Sequence, residues 1–242
     1  INFIEGSLEN TDDYKTALRN CDIVLHISGA VDPQKSMRIN YELTKNLVAA
    51  CNKSQKFIYI SSFNVSFKNP GKYALSKKMA EEIIQKSELE YLIFRPTLMY
   101  NKKGDYYIIK LIKQIIGFPF AVQPGNGNYL LQPLLTDDFA KIVLAGLEKV
   151  NNRIISVAGK EAVTIRELIN MIMARTKIKP VITLPMWLLK IIGRFVGLNR
   201  EKINEMSEDK TMNIKDIENE FHIKLCSIKD TLPKIIDYAK TN

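Results

Sequence analysis

Short apolar runs alternate with segments of helical period along the chain. Phe57-Ile58-Tyr59-Ile60 and Leu92-Ile93-Phe94 are unbroken apolar stretches, as expected of strands buried on both faces. Residues 21–27 read as a further strand, 2–6 as a short strand-like start, 154–157 as a strand running into a turn, and 180–184 as a last strand. Between them lie helical patterns. The first is 14–18, behind a Thr11-Asp12-Asp13 cap. The second runs through Asn40, Leu43, Thr44, Leu47 and Ala50. Others run from Tyr73 to Ile84, from Tyr106 to Ile116 and from Phe139 to Leu147, the last with Asp137 and Asp138 as caps. Thr164 with Glu167 forms a capping box, 185–196 is the most apolar helix, and 213–238 alternates helical segments. The alternation predicts an α/β fold around a parallel sheet.

Chemistry-bearing residues gather where predicted strands end. Ser61-Ser62 closes one strand, placing hydroxyls at the carboxyl edge of the sheet, where open α/β sheets bind ligands. Tyr73 and Lys77 are one helical turn apart on one face, so the amine can sit beside the phenol and assist proton transfer near neutral pH. Ser28-Gly29-Ala30 closes another strand with residues small enough for a ligand to approach the backbone.

Composition narrows the reading. The chain has 242 residues, 46% hydrophobic and 25% charged, as in ordinary globular proteins. Its net charge of +9 comes from lysines spread along the chain without a dense run, which speaks against nucleic-acid binding and suits anionic ligands such as nucleotide phosphates. Three scattered cysteines and two histidines, His26 and His222, leave no metal-ligand spacing. No stretch is long and apolar enough to span a membrane and no signal peptide is present, so a cytoplasmic protein is expected.

The ordered set of Ser61-Ser62, Tyr73-Ala74-Leu75-Ser76-Lys77 and Arg95-Pro96-Thr97-Leu98-Met99-Tyr100 resembles the extended short-chain dehydrogenase/reductase superfamily, also called the NAD-dependent epimerase/dehydratase family. The resemblance implies a Rossmann-like doubly wound parallel sheet, N-terminally truncated, with a small C-terminal substrate-binding lobe. Residues 1–150 would form the partial NAD(P)-binding domain, with lobe segments from about 101–135, and 151–242 mostly the lobe. Tyr73 would be the general acid/base, with Lys77 beside it holding the nicotinamide ribose and Ser62 orienting the substrate oxygen. The cofactor, NAD or NADP, would meet Ser7, Ser28, Gly29, Ala30, Asn40, Ser61, Tyr73, Lys77, Pro96 and Thr97. Ser7 stands where the family has an acid, and Asn40 and Thr44 match a helix that buttresses the site. The substrate implied is a small molecule, a nucleotide sugar, undergoing hydride transfer at an alcohol or ketone carbon. Phe63-Asn64 after Ser62 argues against a 4,6-dehydratase. Family members often dimerise through the helix carrying Tyr73 and its predecessor. The helix at 185–196 would pack over the substrate cleft, with placement on a membrane surface as the alternative.

No G-x-G-x-x-G or G-x-x-G-x-x-G occurs, so the glycine loop that holds a pyrophosphate is missing. The resemblance begins at the family's third strand, about 55 residues in, and the chain is therefore expected to be a fragment. Without the first two strands, residues 21–27 would form a raw apolar edge. A non-catalytic scaffold or cofactor-binding subunit of the same superfamily is the competing reading.

Overall fold

The computed structural model describes residues 2–101, 107–192, 203, 208, 209 and 211–241. They divide into two compact units, Ile1–Arg95 with Val143–Ser156, and Pro96–Ile142 with Val157–Asn242.

The first unit is built on four adjacent strands in the order β1 (Ile23–His26), β2 (Lys56–Ile60), β3 (Glu90–Pro96) and β8 (Arg153–Val157). β1 and β3 both run parallel to β2, with His26 opposite Tyr59 and Ile60 opposite Phe94. Phe57, Ile58 and Tyr59 are fully buried because β2 is central and both its faces are covered. Phe57, Tyr59 and Ile93 point to one side, against Leu18 of α1 (Thr11–Arg19), Leu47 and Val48 of α2 (Leu43–Ala50), and Ala80 and Ile84 of α3 (Lys72–Lys86). On the other face Gly146, the last residue of α5 (Thr136–Gly146), lies against Phe94 and Leu92. A Cβ there would come within 2.7 Å of the Phe94 ring.

Three expectations change here. Residues 2–6 are irregular rather than a strand, with Phe3 and Ile4 exposed. A short apolar triplet becomes a strand only when a neighbour completes its backbone hydrogen bonds, and the one described neighbour of β1 is β2. α1 is capped by the Asn10 side chain, which accepts from the Asp12 N–H, and not by the Thr11–Asp13 triplet. The helix through Asn40 opens as a wide π-turn, Met37–Glu42, with the Leu43 N–H donating to the Arg38 carbonyl, before it continues as α2.

In the second unit α4 (Tyr107–Gly117) packs its Ile108, Ile112 and Ile115 face with α6 (Ile165–Arg175) and the helix Ile228–Thr241 in one apolar core. Tyr106, expected to open α4, lies outside the described residues. The capping box forms as expected: the Glu167 N–H donates to Thr164 Oγ1 (3.1 Å), and the Thr164 N–H to Glu167 Oε2 (2.7 Å). Asp138 differs from expectation. It sits in the first turn of α5 but is buried, accepting from the Cys226 N–H (2.7 Å) and pairing with Lys141 (3.2 Å), so it anchors a distant loop instead of capping its own helix. Two short pairs, β4 (Met99–Tyr100) with β7 (Leu134–Leu135) and β6 (Leu130–Leu131) with β9 (Val163–Thr164), accompany β5 (Ala121–Pro124), which pairs in parallel with β10 (Val181–Leu184), the strand that leads into α7 (Met186–Ile192). Residues 193–196 of the predicted 185–196 helix lie outside the described residues. Among those described, no helix is long and apolar enough to cross a membrane, and no three His, Cys, Asp or Glu side chains cluster as a metal site.

Candidate active site

The carboxyl end of β2 passes directly into Ser61 and Ser62. The Ser61 N–H extends the ladder by donating to the Phe94 carbonyl (2.7 Å). Its hydroxyl is buried and makes no hydrogen bond among the described residues. Burying a hydroxyl without a partner costs about 1–3 kcal/mol, so this oxygen is a natural contact for a bound molecule. Ser62 caps a short 3₁₀ turn, Phe63–Ser66, by accepting the Asn64 N–H (3.3 Å), which leaves its own O–H proton free to donate elsewhere.

α3 begins behind Asn69-Pro70-Gly71 and carries Tyr73, Ser76 and Lys77 in its first two turns. Tyr73 is half-buried, and its carbonyl accepts the Ser76 hydroxyl (2.8 Å). Lys77 is 3% exposed. Its ammonium donates to the Ile60 carbonyl (2.8 Å) and lies 4.6 Å from the centre of the Tyr59 ring, within cation–π range. Burial pushes the Lys77 amine down to about 8, partly opposed by the Glu81 carboxylate one turn further along α3. Glu81 is itself buried and forks onto Arg95 at the end of β3, with Arg95 Nε at 2.9 Å and Nη2 at 2.5 Å. α3 is thus bolted to two neighbouring strand ends, by Lys77 to β2 and by Glu81 to β3.

The end of β1 is held against this helix by Asn40. Its Oδ1 accepts the Ala30 N–H (2.7 Å), and its Nδ2 donates to the Ala30 carbonyl (2.9 Å) and to Ser76 Oγ (3.0 Å). The π-turn presents this fully buried amide, whose donors and oxygen all have partners. Gly29 then passes so close that a Cβ would lie 2.9 Å from Lys77 Nζ and 3.1 Å from Asn40 Oδ1. Ser28 and Gly29 are exposed just above. This is a cradle with a glycine floor, a buried amine and an unpartnered hydroxyl. Such a set can hydrogen-bond the hydroxyls of a bound molecule.

The remaining candidate residues are Ser7, Pro96 and Thr97. Ser7 is in an exposed turn, where its N–H donates to Asp13 (2.8 Å) and its hydroxyl accepts the Glu9 N–H (3.1 Å). Pro96 and Thr97 open the second unit, where the Thr97 hydroxyl donates to the Gln132 carbonyl (2.7 Å) and its N–H to that of Val157 (2.8 Å).

Two groups beside the site are not in the expected set. Glu81 stands at helical spacing from Lys77, a signal visible in sequence, but its partner Arg95 is set by the fold. His26 is buried at the end of β1, stacked on Tyr59 (5.4 Å between centroids) and 2.9 Å from Thr44 Oγ1. Burial and the Lys77 charge push its imidazole down to about 4. The unfolded chain, with its imidazole near 6.5, binds a proton first as pH falls. The stability due to neutral His26 is therefore complete above pH 6.5 and is lost on descending to about 4. This group should remove about 3 kcal/mol over that window, read as urea unfolding free energies. His26→Gln should flatten the difference, and an unchanged acid slope in that variant would contradict the assignment.

Comparison with known proteins bears on the fold. Residues 1–117 match the NAD(P)H-binding family model. A 2-alkyl-3-oxoalkanoate reductase from Shewanella oneidensis is 24% identical over 86% of this chain, and the chain spans 64% of the length of that relative. UDP-glucuronic acid 4-epimerase from Bacillus cereus, solved in complex with NAD, superposes with a TM-score of 0.78 at 21% identity, covering 98% of this chain and 79% of that one. RMD from Pseudomonas aeruginosa, complexed with NADPH, gives 0.75 at 18% identity, covering 98% and 88%. The fold is the Rossmann-like α/β fold that these solved structures share.

Proposed function

We propose, from the match of residues 1–117 to an NAD(P)H-binding family model, that this chain carries the catalytic centre of an NAD(P)-dependent oxidoreductase or epimerase of the short-chain dehydrogenase/reductase type. The observation that carries the reading is the buried Lys77 amine, held by the Ile60 carbonyl beneath Gly29 and one helical turn from Tyr73. A bound NAD or NADP would supply a hydride donor or acceptor at its nicotinamide ring. Lys77 and the Ser28-Gly29-Ala30 bend would hold the adjoining ribose. Tyr73 gives a proton to, or takes one from, the substrate oxygen, while the Lys77 charge stabilises the phenol oxygen as its proton leaves. Ser62 donates a hydrogen bond to the same oxygen, and the unpartnered Ser61 hydroxyl is the second donor. The substrate is an alcohol or ketone, and our first choice is a nucleotide sugar, in keeping with the epimerase that shares the fold. A simple ketone reductase is the second reading, favoured by the Shewanella relative.

Titration with NADH and NADPH, followed by turnover on nucleotide sugars and on 3-oxo acids, tests the proposal. Saturable binding with turnover is expected. Binding without turnover on any alcohol or ketone would favour the scaffold reading, and no binding of either cofactor would remove the premise.

A further inference from the structure

Along the face formed by β5, β10 and α7, the second unit exposes apolar side chains that a folded core would normally enclose. Ile178 is 89% exposed, Trp187 64% and Ile191 60%, and Phe118, Val181 and Ile182 are also exposed. Part of this set is tied together. β10 pairs with β5 along its length, and the Lys179 ammonium donates to the carbonyls of Ile115 (2.6 Å), Ile116 (2.9 Å) and Phe118 (2.5 Å), which sets Ile178 beside Phe118. On α7, Trp187, Lys190 and Ile191 stand at i, i+3 and i+4 and so share one outward face, while Leu189 is buried.

Charge distinguishes this face from a mere apolar patch. None of the chain's 26 acidic residues lies in 106–136 or 168–200, the two stretches that supply it. The same stretches carry exposed Lys110, Lys113, Lys177 and Lys190. Arg175, also in them, is paired with Asp237.

We propose that this face docks the second unit onto an anionic phospholipid bilayer, with Trp187, Ile191 and Ile178 entering the headgroup boundary and the lysines meeting lipid phosphates. Each feature has its counterpart there: an indole at the level of the headgroups, branched aliphatic side chains just below, and ammonium groups on long stems that reach back to the charge. A second copy of the chain fits worse, because a two-fold interface would bring these lysines against their own copies with no acid to offset them. A strand-adding partner would need only the β10 edge and would leave α7 uncovered.

Trp187 is the chain's single tryptophan, so its fluorescence reports this face alone. Phosphatidylcholine vesicles with and without phosphatidylglycerol should be titrated into the protein at low and high salt. With phosphatidylglycerol present, the emission should move to the blue and the protein should sediment with the vesicles, and both effects should fade as salt rises. Lys190→Glu and Lys113→Glu, exposed changes that keep the fold by circular dichroism, should each weaken partitioning about fivefold, and Ile191→Glu should weaken it further. The proposal is overturned by an unmoved emission on both vesicle types. It is equally overturned by the same response to neutral vesicles at all salt concentrations, or by a blue shift that follows protein concentration without lipid. The readout needs neither cofactor nor turnover, so it stands or falls independently of the catalytic reading.

Discussion

Tyr73→Phe should lower kcat by roughly 10²–10⁴-fold, the usual contribution of a positioned general acid/base, while leaving NADH or NADPH affinity largely unchanged. The change removes one oxygen and keeps the ring. The backbone carbonyl of Tyr73, which receives the Ser76 hydroxyl, is untouched, so the Asn40–Ser76 link that holds the β1 loop to α3 survives. A pure loss in kcat, with binding intact, separates a chemical role for the phenol from a packing role. Retained turnover in this variant would remove Tyr73 from the mechanism, and loss of cofactor binding alongside turnover would assign the residue to the cradle.

Lys77→Met should show a second large effect, in opposite directions for activity and stability. Turnover should fall by two orders of magnitude or more, because the variant loses both the charge beside Tyr73 and the donor facing the Gly29 bend. Stability carries a different signature. The folded-state amine sits at about 8 and the unfolded one near 10.5, so between those values the unfolded chain binds more protons and wild-type stability rises with pH. Below pH 8 the full cost of burying the ammonium is present, about 3 kcal/mol. In Lys77→Met that rise should vanish. Part of the gain is offset near neutral pH, since the Ile60 carbonyl loses its donor, worth about 1–3 kcal/mol when buried. Urea unfolding of both proteins at pH 7.5 and pH 10 measures the difference. An equal alkaline rise in the variant would place the titration elsewhere. A buried charge that destabilises the fold yet is required for turnover is expected of a functional residue and not of a structural one.

The Glu81–Arg95 pair sharpens this picture. Glu81 partly restores the Lys77 charge that burial opposes, and Arg95 prevents Glu81 from becoming an unpaired buried carboxylate. Through α3 the three groups link the end of β3 to the end of β2.

Much of this architecture was legible in the order of residues. Unbroken apolar runs marked β2 and β3 because strands covered on both faces leave no room for alternation. The helical spacing of Tyr73 and Lys77, the Ser61-Ser62 strand end and the Thr164–Glu167 box were readable because each is local, set by the pitch of a helix or the end of a strand. The irregular 2–6 segment was misread because an apolar triplet becomes a strand only through its neighbours. Asp138 was misread because its partner, the Cys226 N–H, lies far along the chain. The same limit hid Arg95 from Glu81, and His26 from the face of Tyr59.

By itself, then, the sequence determined the α/β order, the serine-tyrosine-lysine set and the small residues at the end of β1, all of which depend on short-range periodicity. Only the tertiary structure decided that Lys77 is buried against the Ile60 carbonyl, that Asn40 bridges Ala30 and Ser76 from a π-turn, and that Trp187 and Ile191 face outward. Burial, desolvation and long-range hydrogen bonds arise only when distant segments pack together, and no local pattern of residues encodes which segments those will be.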